Sequence, residues 1–125
     1  MSDEVSHFRD PGSDVVVTAD EVQGIVLFRL RGEIDSSNAS DVLTQLEGAP
    51  QGRNVILDLG ELSFIDSSGV RMLLMLLAHV TQHGGKLRLA VPPESRLRHV
   101  FSVLELEAAI PIDAAVSEGV GALKG

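Results

Sequence analysis

Val55-Ile56-Leu57-Asp58-Leu59-Gly60-Glu61-Leu62-Ser63-Phe64-Ile65-Asp66-Ser67-Ser68-Gly69-Val70 changes from one periodicity to another partway along. Val55 to Leu59 is nearly continuous in apolar residues, as a strand buried on both faces would be. A short loop is expected after it. From Asp66 onward apolar residues recur at helical spacing, and His83-Gly84-Gly85 supplies the stop. Strand, loop and long helix together make half of a parallel crossover, so neighbouring parallel strands are required.

Towards the C-terminus, Lys86 to Val91 reads as a strand with Leu87, Leu89 and Val91 on one face and Arg88 and Ala90 on the other. Leu97, Val100, Phe101 and Leu104 fall at i, i+3, i+4 and i+7 and predict a helix. Ile110-Pro111-Ile112 can form only a short edge strand, because Pro111 has no N–H to donate. Val116, Val120 and Leu123 predict a last helix, weakened by Gly119 and Gly121.

Towards the N-terminus, Ala39, Val42, Leu43 and Leu46 mark an amphipathic helix, with Ser36 and Ser37 as its expected caps. Val15-Val16-Val17-Thr18 and Ile25 to Leu30 predict a hairpin joined through Asp20 to Gly24. Residues 1–13 are polar, end in Asp10-Pro11-Gly12-Ser13, and read as a flexible N-terminal arm before a domain spanning 14–123. The expected architecture is α/β: one domain with a small mixed β-sheet and helices packed mainly on one face.

Composition narrows the function. The chain has 125 residues, a net charge of -8, 3% aromatics and no cysteine. The charge argues against nucleic acid or an anionic membrane as partner, since both need a Lys/Arg footprint. The absence of cysteine removes thiolate metal sites and Cys nucleophiles and fits a reducing cytoplasm. The longest apolar stretch, Val70 to Val80, contains Arg71 and His79 and is shorter than the roughly 20 residues a membrane span needs. Neither a Gly-x-Ser-x-Gly elbow nor a phosphate-cradling Gly-x-x-x-x-Gly-Lys-Ser/Thr loop occurs. His79 and His83, four apart, lack a third metal ligand at any recognisable spacing. A binding protein without catalysis, metal or cofactor is the expectation.

The helix start at Asp66-Ser67-Ser68-Gly69 has two readings. In one, Asp66 or a serine merely caps the helix. In the other, a hydroxyl at this positively polarised tip is a modification site. Arg71 favours the second: the first turn lacks the Glu or Gln of a capping box, and a cation there costs about 0.3–1 kcal/mol. Lying three residues beyond Ser68, Arg71 can meet a group attached to it. Along the same helix, Met72 and Met75 either pack in the core or line a docking surface.

These residues resemble the anti-sigma factor antagonists of the STAS group, which carry Asp-Ser-Ser-Gly or Asp-x-Ser-Gly at the start of the second helix. Leu30-Arg31-Gly32-Glu33-Ile34-Asp35 resembles that family's Gly-Glu-Leu/Ile-Asp loop, and Val55 to Leu59 its central strand. The helix from Arg96 and the closing Ile110-Pro111-Ile112 segment also correspond. One departure is the turn after the third helix, where the family often has glycine and this chain reads Leu104-Glu105-Leu106-Glu107. The resemblance implies a bacterial cytoplasmic phosphoprotein that frees a sigma factor by binding a kinase-type anti-sigma factor. It also implies phosphate on Ser68, with Ser67 as alternative, and a phosphatase that reverses it. Partner contacts are then expected at Asp35, Asp66, Ser67, Gly69, Arg71, Met72 and Met75. The alternative within the same fold is a scaffold or transporter-associated protein-binding module with no phospho-switch.

Overall fold

The structure, a computed structural model, describes residues 4–10 and 13–124. Its strands are β1 (Glu4–Asp10), β2 (Ser13–Val22), β3 (Ile25–Ile34), β4 (Val55–Ile65), β5 (Leu87–Ala90) and β6 (Ile112–Asp113). Its helices are α1 (Ala39–Leu46), α2 (Ser67–Gln82), α3 (Arg96–Val103) and α4 (Val116–Lys124), with a 3-10 turn at Leu106–Ala108. The sheet runs β1-β2-β3-β4-β5-β6. The β1–β2 and β2–β3 pairs are antiparallel, and the pairs from β3 to β6 are parallel.

Of the arm expected over residues 1–13, residues 1–3 and 11–12 lie outside the described residues. The backbone of Glu4–Asp10 pairs with β2, from Glu4 opposite Ala19 to Asp10 opposite Ser13. An edge strand leaves a row of backbone donors and acceptors that a neighbouring segment can satisfy. The expected five-residue hairpin connection contracts to Gln23-Gly24, with φ of 51° and 85°. Positive φ at both positions gives the turn whose twist matches the flanking strands, so β2 and β3 extend right up to it.

The largest departure from expectation is in β4, which continues through the predicted loop to Ile65. Parallel pairing with β3 holds Glu61 to Ile65 against Arg31 to Ile34, across register shifts that break the simple alternation of side chains. That irregularity is what made the segment read as a loop.

Val15, Val17, Phe28, Leu30, Leu57, Leu59 and Leu89 point from the sheet into one core. It is closed by Val42 and Leu46 of α1, Met72, Leu73, Leu76 and Val80 of α2, and Leu97 and Phe101 of α3. Leu57 and Leu59 are 0% exposed, and full burial of such side chains stabilises by about 1.5–3 kcal/mol each. Leu27, Ile56 and Ala90 face the other way and meet Val116, Val120 and Leu123 of α4. Gly119, expected to weaken α4, is where that helix touches the sheet: a Cβ there would lie 3.2 Å from Ile56 Cδ1 and 3.0 Å from Asp113 Oδ2. On the same side Arg88 donates two hydrogen bonds to Asp113, of 2.8 and 2.9 Å, which fasten β6 to β5. This bonding holds the guanidinium pKa above its ordinary value.

Leu104 does not join the α3 face as its spacing predicted. The helix ends at Val103, and Leu104 is 53% exposed. Glu105 then takes a left-handed conformation, φ 57° and ψ 34°, which turns the chain so that Leu106 is buried instead. This is the turn in which the resembling family often has glycine. A left-handed L-residue is strained, so Glu105→Gly is expected to raise stability by about 0.5–1 kcal/mol after the added chain entropy is counted. Urea denaturation checks this; an unchanged or lower midpoint would mean that Glu105 stores no backbone strain.

Candidate functional site

Adjacent parallel strands end side by side, so β3 and β4 deliver the segments that follow them to the same place. Their last paired residues are Ile34 and Ile65, and each is followed by an aspartate, Asp35 and Asp66. The Asp66 N–H donates to the Ile34 carbonyl at 3.2 Å and ties the two exits together. The C-terminal ends of parallel strands are where open α/β sheets usually place binding sites.

Asp35 organises the first loop. Its carboxylate accepts from the Ser37 N–H at 2.9 Å and the Ser37 hydroxyl at 2.6 Å. Its carbonyl accepts from the Ala39 N–H at 2.9 Å. Asn38 is 1% exposed, and its amide donates to the Glu33 carbonyl and accepts from the Asp35 N–H. Ser36 and Ser37 therefore do not cap α1: the N-cap residue is Asn38, and the turn built on Asp35 comes before the helix begins.

Asp66 decides the capping question left open at α2. In extended conformation (φ -107°, ψ -169°), it accepts from the Ser68 N–H at 2.9 Å and the Gly69 N–H at 3.2 Å. The cap is the aspartate, so neither serine is needed for it. Ser67 is exposed and Ser68 half-buried. Gly69 is buried because α2 starts hard against the strand ends. A Cβ there would run into Ile65 Cγ1 and lie 3.1 Å from Ile34 Cγ2.

Between α1 and α2 lies a groove of about 360 Å³, walled by Ser36, Ser40 and Leu43 on one side and Ser68, Arg71 and Met75 on the other. Arg71 is exposed and makes no ion pair among the described residues. The two methionines divide: Met72 is 2% exposed and belongs to the core, whereas Met75 is 50% exposed. Gly69 and Met72, expected as partner contacts, thus support the site from beneath, while Asp35, Asp66, Ser67, Arg71 and Met75 reach the surface. Leu74, at 41%, and Phe64, at 47%, add exposed apolar surface close in sequence to the helix tip. Phe64 is hidden in the sequence because its bulged strand has the pattern of a loop; an aromatic beside the helix start, in a chain with so few, is the available signal.

His79 and His83 meet at the far end of α2 with their rings tilted by 53°, 4.6 Å between centroids. Among the described residues no group of three or more His, Cys, Asp or Glu could hold a metal ion. A second groove, of about 240 Å³, lies among Val16, Thr18, Arg29, Arg31, Asp58 and Glu61, where Arg29 Nε meets Asp58 at 3.2 Å. No helix among the described residues is long and apolar enough to cross a membrane.

The STAS domain family profile matches residues 16–119. The chain is 31% identical over 98 residues to BtrV of Bordetella bronchiseptica, whose name assigns it to the anti-sigma factor antagonists. That match covers 77% of this chain and 84% of BtrV. It is 34% identical over 89 residues to the anti-sigma F factor antagonist of Paenibacillus polymyxa, covering 67% of this chain and 76% of the relative. Among solved structures, the anti-sigma factor antagonist SpoIIAA in its unphosphorylated form superposes with a TM-score of 0.68 at 25% identity, over 87% of this chain and 96% of that one.

The geometry ranks the residues of the tip by their structural cost. Asp66→Ala should destabilise by about 1 kcal/mol through the lost cap. Gly69→Ala should cost about 1–3 kcal/mol through overpacking against Ile65 and Ile34. Ser67→Ala and Ser68→Ala should stay within about 0.5 kcal/mol of the parent. Chemical denaturation of the four variants tests this order; a Ser68→Ala loss as large as that of Asp66→Ala would assign the cap wrongly.

Proposed function

We propose that this chain, which belongs to the STAS domain family and by homology groups with its anti-sigma factor antagonists, binds a kinase-type anti-sigma factor and is released when Ser68 is phosphorylated. In binding, it frees a sigma factor; a phosphatase restores the unmodified form. The chain itself works by binding and performs no catalysis. All of this takes place in the bacterial cytoplasm, without nucleic acid or membrane as partner.

One observation carries the reading. Asp66 caps α2 alone, so the Ser67 and Ser68 hydroxyls stand at the helix tip with no structural duty. A residue with no role in the fold can be modified without unfolding the domain. Phosphate adds about -1.5 to -2 charges. Here it enters a surface already carrying Asp35 and Asp66, beside the exposed Leu74 and Met75. A partner seated on that surface loses apolar contact to a group that must stay hydrated, and meets new repulsion wherever it presents an anion. Dissociation therefore needs no change of fold.

Pull-down from the native cytoplasm tests the proposal. Ser68→Ala should retain the kinase-type partner, and Ser68→Asp should lose at least most of it. Incubation with that partner and ATP should place phosphate on the parent protein and not on Ser68→Ala. A parent that gains no phosphate would leave a constitutive docking module. Phosphate appearing on Ser68→Ala would move the switch to Ser67.

A further inference from the structure

The N–H groups at the tip of α2 are the obvious partners for a phosphate on Ser68, and two of them are already taken. Ser68 N and Gly69 N both donate to Asp66 Oδ1, at 2.9 and 3.2 Å. A phosphate turning back towards them would also face the Asp66 carboxylate, an anion of the same sign. The Ser67 N–H, the tip donor left without a partner among the described residues, cannot satisfy three oxygens, and the groove between α1 and α2 supplies further donors. Arg71 lies one turn beyond Ser68 on the same wall and has no ion-pair partner among the described residues. Across the groove stand Ser36 and Ser40, and Ser67 lies beside Ser68. None of these hydroxyls makes a hydrogen bond within the described residues; Ser40 is engaged only through its carbonyl, which accepts from Thr44.

We infer that the phosphate of modified Ser68 folds into the α1–α2 groove, held by the Arg71 guanidinium on its own helix and by the Ser36 and Ser40 hydroxyls of the opposite wall. The inference rests on the proposed modification of Ser68 and adds its structural consequence. Three phosphate oxygens accept strong hydrogen bonds, and a guanidinium presents donors in a fork that matches two of them. The groove, at about 360 Å³, has room for the group without repacking Leu43 or Met75. The phosphate therefore joins the two helices. The switch changes shape as well as charge, because a groove open in the unmodified protein is filled by the protein's own substituent.

Phosphoserine installed at position 68 during synthesis tests this without any kinase, so failure here is separable from failure of the proposed function. The readout is the phosphorus NMR titration of the phosphate, whose second ionisation lies near pH 6 in a free phosphoserine. Seating beside Arg71 favours the dianion and should lower the midpoint by roughly half a pH unit or more relative to a phosphoserine peptide. Arg71→Ala should return most of that shift, and the Ser36→Ala/Ser40→Ala double variant part of it. Arg31→Ala, outside this groove, should change nothing. Backbone amide shifts on phosphorylation should extend across the groove to Ser36–Leu43. A midpoint equal to or above the peptide's would overturn the seat, since Asp66 repulsion would then dominate. A lowered midpoint insensitive to Ser36 and Ser40 would overturn the bridge.

Discussion

The contact of α2 with the ends of two parallel strands governs this molecule. Ile34 and Ile65 finish β3 and β4 side by side, and Gly69 lets the helix start directly on top of them. With any side chain at that position the helix would stand off, and its first turn would no longer sit beside the loop that leaves β3. Because the approach is close, Asp35 and Asp66 come out at the same level and the first turns of α1 and α2 face each other across a groove.

That arrangement separates structural work from surface work within a few residues. Asp66 and Gly69 hold the helix start; Asn38 and Asp35 hold the facing loop. Ser67, Ser68, Arg71 and Met75 are left on the surface with little to do for the fold. Under the proposed switch a phosphate there would act on whatever docks, while the core beneath is closed by Met72, Leu73 and Leu76.

Much of the fold was legible because it rests on local rules. The Val55 to Leu59 run, the helical spacing after Asp66 and the glycines past Gln82 each encode their element without reference to the rest of the chain. The failures have separate causes. Phe64 and the second half of β4 were hidden because a bulged pairing with β3 spoils the alternation on which strand reading depends. Leu104 has helical spacing but lies past the end of α3, where Glu105 reverses the chain. Ser36 and Ser37 have capping chemistry, yet Ser37 is held in the turn on Asp35 and both precede the N-cap, Asn38.

What the sequence determined by itself is the set of parts: buried strands, a helix opened by Asp66, two hydroxyls behind it and a cation one turn on. Those follow from backbone preference and side-chain chemistry over a few neighbouring residues. Only the tertiary structure decided how the parts face one another. It assigned the cap to Asp66 alone, sent Met72 inward and Met75 outward, and set Ser36 and Ser40 across from Ser68. Those outcomes depend on how β3 and β4 pair and how closely α2 approaches them, and residues this far apart in the chain leave no local periodicity from which to read it.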